Sequence, residues 1–175
     1  MACVGTLRTF GAPAPLTLGV RPLMNPVASV TAKELNEDPS ARLWALVMHL
    51  AENPGKQSLP DFRHFWLAYI YDAQVNNGGH LQYFHNCGAA SANETILALQ
   101  TIGAMIQAEL LEACLKKVHA SPVDKVASLH EYSELAAERS FKEEDSAYYA
   151  QSPSVLELIE QYYQPLLLTC VETRG

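Results

Sequence analysis

Four side chains able to bind a metal or act as nucleophiles cluster in one stretch: His64, His80, His85 and Cys87. A zinc site needs three or four convergent ligands, commonly at HxxxH or CxxC spacing. His80 and His85 are five residues apart, which on a helix separates them by about 140° of rotation, so they diverge. No metal site is expected. Cys87 beside His85 is a poor thiolate pair, because the groups of Cys–His enzymes meet in space from distant positions. Gly78-Gly79 lacks the preceding strand that a phosphate-cradling loop needs, and GxSxG, P-loop and GxGxxG patterns do not occur. No constellation fills the roles of nucleophile, base and oxyanion donor, so no catalytic residue and no cofactor is assigned. The remaining candidate chemistry is electrostatic. Glu131, Glu134 and Glu138 follow one another at helical spacing, and Glu143, Glu144 and Asp145 come soon after. Carboxylates three or four residues apart on a helix lie roughly 5–6 Å from one another. Duplex DNA shows one phosphate charge about every 1.7 Å of axis, so acids on neighbouring helices could imitate part of a phosphate row. A solvated helix face produces the same pattern.

The elements that must carry these groups read as helices. Phe62, Phe65, Trp66, Tyr69, Ile70 and Ala73 form one apolar stripe, with Ser58 as its cap and Pro60 in its first turn. Asn76 and Asn77 continue that stripe, so at least one amide is expected toward the interior, tying helix-end carbonyls to the amides of the next segment. Gly78 and Gly79 then supply a helix stop, and Leu81 to Phe84 return aromatic surface to the same core. Upstream, Pro39-Ser40 opens a helix with Leu43, Trp44, Val47, Met48 and Leu50 inward. Downstream, Ser91 to Glu94 has capping-box spacing, and Gly103 interrupts the helix that follows. Lys125 to Arg139 is expected as a helix with Val126, Leu129 and Ala136 inward, and Lys142 to Asp145 as a charged connection. Ser152-Pro153 opens a last helix that Pro165 should kink or shorten. Strand periodicity is absent. The expected architecture is all-α: one compact domain of about six to eight helices over residues 34–175, preceded by a flexible Pro/Gly-rich extension over 1–33.

Charge divides at the same boundary. Residues 1–33 hold Arg8, Arg21 and Lys33 with no acid, whereas 34–175 hold 9 basic and 19 acidic residues, a balance of −10. An acidic body repels phosphates, so direct nucleic-acid binding is not expected and a basic partner is. No run is long enough to span a membrane, Pro13 and Pro15 break any signal-peptide core, and the four spaced cysteines read as reduced thiols. A cytoplasmic location is the expectation.

Tyr71-Asp72-Ala73-Gln74-Val75-Asn76-Asn77-Gly78-Gly79-His80-Leu81-Gln82-Tyr83-Phe84-His85-Asn86 resembles the signature of the DNA-mimic-protein family, a bacterial domain family. Leu99 to Ala104 resembles the helix that follows in that family, and Phe141 to Tyr163 its C-terminal portion; the likeness spans roughly residues 42–168. The signature usually has an acid where Gln74 stands and an aromatic where His80 stands. The resemblance implies an all-helical fold. For the member that gives the family its name, it implies an acidic surface that occupies the DNA-binding face of a helix-turn-helix repressor. It makes Asn76, Asn77, Gly78, Gly79, Gln82, Tyr83, Phe84 and Asn86 scaffold.

The sequence therefore favours a non-enzymatic acidic module that presents Glu131, Glu134, Glu138, Glu143, Glu144 and Asp145 to a basic protein, with a DNA-binding transcription factor as the candidate partner. The alternative is a small-molecule or enzymatic site at the Asn76–Phe84 junction, lined by Asn76, Asn77, Gln82, Tyr83 and His80. A purely structural or homodimeric role would show as an apolar patch on one helix.

Overall fold

Pro60 pre-sets the dihedral that a first helical residue needs, and from it α3 (Pro60–Cys87) runs for 28 residues. The computed structural model describes residues 25–175 apart from 124, 125, 127, 139 and 140, and only the backbone of 129, 137 and 138. Ahead of α3 lie β1 (Ala28–Thr31), α1 (Ala32–Glu37), α2 (Ala41–Glu52) and a 3₁₀ turn at Pro54–Lys56. After it come α4 (Ala92–Thr101), α5 (Met105–Ala120), α6 (Leu129–Glu138), α7 (Lys142–Tyr149), α8 (Val155–Cys170) and β2 (Val171–Arg174). The chain is thus mostly helical, with eight α-helices among the described residues.

α3 is the central element. It packs against α4, α7 and α8, while α4 pairs with α5, α5 touches α7, and α2 lies on α8. Its aromatic stripe supplies the middle of the core: Phe62, Phe65, Tyr71, Tyr83 and Phe84 are all buried, as are Leu43, Leu46 and Leu50 of α2 and Leu99 of α4. Burial of each such side chain contributes about 1.5–3 kcal/mol, which is why one long helix can organise seven shorter ones.

The expectation of no strands is corrected. β1 and β2 form a parallel pair, from Ala28 opposite Val171 to Thr31 opposite Arg174. Four-residue strands carry too little period to show in the sequence, and the pairing partner lies at the far end of the chain. The sheet also ties Val27 to the body, through its amide to Cys170 O at 2.8 Å. The expected start of the domain at residue 34 falls inside α1.

Several local expectations fail for reasons of competition. Trp44 and Met48 face outward at 38% and 57% exposure, and Leu46 takes the inward place in α2 instead. Leu59, not Ser58, precedes α3, with no side-chain cap. Ser91 does precede α4 but makes no cap bond, its backbone (φ −93°, ψ −1°) lacking the extended conformation of a capping residue, and the Glu94 carboxylate meets Arg63 at 2.6 Å instead. Lys142 to Asp145 is the first turn of α7 rather than a connection. Ser154, not Ser152, caps α8 in a full capping box with Glu157, and α8 passes through Pro165 to Cys170. α6 begins at Leu129, four residues later than expected; Ala136 is exposed there and Val126 is half-buried before it.

Candidate functional site: the glycine break in α3

Gly78 (φ −164°, ψ 29°) and Gly79 (φ 72°, ψ −174°) leave helical conformation inside α3, as the sequence predicts. A break frees the amides of the segment that follows, and the structure supplies their acceptor from α7. The His80 amide donates to Asp145 Oδ1 at 2.8 Å, and His80 Nδ1 donates to the same oxygen at 2.6 Å. A carboxylate only accepts, so the ring hydrogen sits on Nδ1; in the neutral imidazole Nε2 then accepts from the Tyr71 hydroxyl, 3.0 Å away. His80 is fully buried among the rings of Tyr71, Phe141 and Tyr148. The imidazole packs as a ring among these aromatics while adding a polar tie. Gly79 is required twice over: by its positive φ, and because a Cβ there would stand 2.5 Å from Asp145 Oδ2.

The Asn residues behave differently from expectation. Asn76 and Asn77 are both exposed, and the interior polar groups at this level are Asp72 and His80. Asn76 Nδ2 does reach a backbone carbonyl, Asp72 O at 3.0 Å, and touches the Tyr148 hydroxyl at 3.5 Å. The two halves of α3 are joined instead through Gln74: its Oε1 accepts from Gln82 Nε2 (3.0 Å) and Asn86 Nδ2 (2.7 Å). An acid at position 74 would offer the same acceptor, so glutamine preserves this clamp. Tyr83 is buried and donates to Thr95 Oγ1 at 3.1 Å. Asn76, Gln82, Tyr83 and Asn86 of the signature thus make hydrogen bonds within the chain.

Behind the break, Tyr148 OH donates to Asp72 Oδ1 at 2.5 Å, and Tyr149 OH to Val75 O at 2.6 Å. Burial raises the Asp72 carboxyl above the usual aspartate range, against the lowering effect of hydrogen bonds from Tyr148 and Asn76. Burial, and then the neighbouring Asp72 charge, drive the Tyr148 phenol far above its ordinary value.

Two recesses flank this structure. A cleft of about 570 Å³ opens on the α6–α7 side, lined by Gly78, Gln82, Tyr132, Phe141, Asp145 and Tyr149 among others. A smaller one of about 90 Å³ lies toward α5 and α8, with Asp72, Asn76, Gln107, Tyr148 and Gln151 in its wall. Among the described residues no group of three His, Cys, Asp or Glu side chains is placed to hold a metal ion. Cys114 and Cys170 are buried free thiols and Cys87 is half-buried; burial raises all three.

The acids singled out by sequence fall into distinct settings. Glu131, Glu134 and Glu143 are exposed. Glu131 also takes part in the start of α6, where its carboxylate accepts from the Ser128 amide at 3.2 Å. Glu134 lies 3.5 Å from His130 at the surface. Glu144 is turned inward, 12% exposed and 2.6 Å from Lys117, and Asp145 holds the glycine break. The Glu138 side chain lies outside the described residues. Sequence reasoning missed the Asp145 cap and the Asp72–Tyr148 pair. The buried position of Asp72 on the apolar face of α3 was the signal available for the second.

With this geometry in place, the comparison with known families is decisive. A family model described as DMP19-like protein matches residues 57–165. The chain belongs to the DMP19-like family. That span begins just before α3 and ends within α8, so the glycine break and all its partners lie inside the family domain, whereas the parallel sheet lies outside it. No curated protein and no solved structure matches the chain. No helix among the described residues is long and apolar enough to cross a membrane.

Proposed function

We propose that this DMP19-like protein is a non-enzymatic acidic binding module that acts as a DNA mimic, covering the basic face of a DNA-binding protein. Family membership carries the reading. The −10 balance of residues 34–175 supports it, together with the outward placement of Glu131 and Glu134 on α6 and Glu143 at the start of α7. Association would be fast and salt-sensitive, because exposed carboxylates steer a basic partner over about a Debye length, near 10 Å at 0.1 M salt. Glu144 and Asp145 would contribute by shaping α7 rather than by contact, since Lys117 and His80 engage them.

The test is a pull-down from cell extract eluted with a salt gradient and read by mass spectrometry, run beside a Glu131→Gln/Glu134→Gln/Glu143→Gln variant. A DNA-binding protein released at moderate salt from the parent, and lost from the variant at unchanged melting temperature, is the expected result. Equal capture by both would remove these acids from the interface.

A second reading has an observation in its favour. The junction reading required an opening at the glycine break, and the cleft beside Gly78 and Gln82 is one. A thermal-shift screen of small ligands against the parent and a Gln82→Leu variant distinguishes it: a hit that depends on Gln82 supports a pocket there.

A further inference from the structure

Away from the glycine break, a cleft of about 450 Å³ lies between the start of α2 and one face of α8. Its wall holds Arg42, Glu157, Glu160, Gln161 and Gln164. The charges in this wall are not paired with one another. Arg42 Nη2 donates to the neutral Thr173 hydroxyl at 2.7 Å. Arg42 Nε is closed to solvent and meets no acceptor, while Nη1 stays open and carries no bond within the chain. Glu160 accepts from the Ser40 hydroxyl at 2.9 Å, and Glu157 from the amide and hydroxyl of Ser154 at 2.7 and 2.8 Å. Each glutamate thus engages one oxygen with neutral donors. Among the described residues neither Arg42 nor these two acids has an ion-pair partner. Arg63 shows the contrast within the same chain, since its Nε and Nη2 both donate to Glu94, at 3.0 and 2.6 Å.

A guanidinium with a buried N–H and no acceptor is costly, and water does not reach Nε to relieve it. A carboxylate at the open Nη1 supplies the missing counter-charge in the pairing that guanidinium favours. An anion alone would also face Glu157 and Glu160, which repel it. The occupant that suits both signs carries a carboxylate and an ammonium together. Leu167 and Leu168 add apolar wall, and Leu168 is 59% exposed. The volume equals about fifteen water molecules at roughly 30 Å³ each, room for an amino acid or a short peptide. From this we infer that the cleft binds a zwitterion with an apolar side chain, its carboxylate on Arg42, its ammonium on Glu160 and Glu157, and its side chain on Leu168. Gln161 and Gln164, whose exposed amides make no hydrogen bond within the chain, can hold a peptide group. Pro39, Arg42, Leu167 and Leu168 lie outside the family span of 57–165, and the inference does not need mimicry to be correct. The zwitterion can be a free amino acid or a short peptide.

The full chain is titrated at about pH 7 with leucine, glycyl-leucine, leucinamide and N-acetylleucine at matched ionic strength, read by melting temperature and then by calorimetry. Leucine and glycyl-leucine carry both charges, leucinamide the ammonium alone, and N-acetylleucine the carboxylate alone. At about ten times its dissociation constant, the better zwitterion should raise the melting temperature by roughly 3–6 °C. The two singly charged analogues should bind about tenfold more weakly or worse. Arg42→Gln should weaken the zwitterion by a similar factor. Glu160→Gln keeps an oxygen for Ser40, so it maintains the test if Arg42→Gln does not fold. It should weaken the zwitterion yet tighten N-acetylleucine, which no longer faces that charge, and a merely structural role for Glu160 would not give opposite signs. Equal shifts from all four compounds, no saturable shift from any up to about 10 mM, or binding unchanged in Glu160→Gln would overturn the site. Tighter binding of glycyl-leucine than of leucine assigns the ligand to a short peptide; the reverse order assigns it to a free amino acid.

Discussion

Replacing Gly79 with alanine separates two things that the glycine does. Gly79 and Gly88 share almost the same backbone conformation, at φ 72°, ψ −174° and φ 69°, ψ −176°. That region is essentially restricted to glycine, and forcing an L-residue into it costs about 1–3 kcal/mol. The surroundings differ. A Cβ on Gly88 meets nothing within 4 Å, whereas on Gly79 it would stand 2.5 Å from Asp145 Oδ2. Asp145 must then move, and both of its bonds to His80 come from one oxygen. Water can reach Asp145, which is 24% exposed, but not His80, which is fully buried, so the His80 amide is left without an acceptor. A hydrogen bond to a charged group is worth about 1.5–3 kcal/mol. Gly88→Ala should therefore cost about 1–3 kcal/mol, and Gly79→Ala should cost about 1.5–3 kcal/mol beyond that. Urea unfolding of the two variants measures the difference. A cycle with Asp145→Ala locates it, since that substitution should add little to Gly79→Ala if Asp145 is already displaced. Equal losses for the two glycines would refute the role assigned to Asp145.

Two pH profiles follow from other carboxyls. Asp72 has its pKa raised by burial, so the folded state takes up this proton before the unfolded state does. Its burden on stability is relieved as pH falls through the folded value toward the unfolded one near 3.8. Urea midpoints measured from pH 7 to 4 should show the parent gaining on Asp72→Asn, and parallel curves would count against this. Glu94 has the opposite sign. Its hydrogen bonds from Arg63 lower its pKa, so its contribution is present above the unfolded value near 4.5 and lost as pH falls through the folded value. The pair is 30% and 41% exposed, so Glu94→Ala should cost at most about 1 kcal/mol at neutral pH, and the cost should shrink as pH falls below 4.5 toward the folded value. A loss that does not shrink on acidification would show that packing, not the ion pair, is at work.

Local rules served where the cause was local. Pro60 at the start of α3 and the break at Gly78-Gly79 were legible from residue type and spacing, because backbone sterics act within two or three positions. Gly88 and Gly103, both at positive φ, ended or interrupted helices for the same reason. What was not legible depended on distant partners. Asp145 meets His80 across 65 residues, and β1 meets β2 across the whole domain. Ser91 and Glu94 have capping-box spacing, yet Arg63, 31 residues earlier, takes the glutamate. Trp44 and Met48 lie on a plausible apolar face that a competing set, Leu43, Leu46, Val47 and Leu50, fills instead.

The same distinction bears on how the acidic charge should be interpreted. A net charge treats all carboxylates alike, but several of those here are committed to the fold. Asp72 is bonded to Tyr148, Asp145 to His80, Glu144 to Lys117, and Glu157 to the start of α8. Their charge still adds to the far field that the proposed function would use to draw a basic protein in, because screening over about 10 Å does not erase a domain-wide excess. Close contact is a different matter: a carboxylate that is turned inward or held against its own chain presents fewer open acceptor positions to another. Encounter with a partner should therefore follow the total charge, and the docked geometry should follow the side chains that face solvent on α6 and at the start of α7. Substitutions at Glu131, Glu134 and Glu143 should accordingly slow association modestly and speed dissociation more, whereas replacing Glu144 or Asp145 should act mainly through stability.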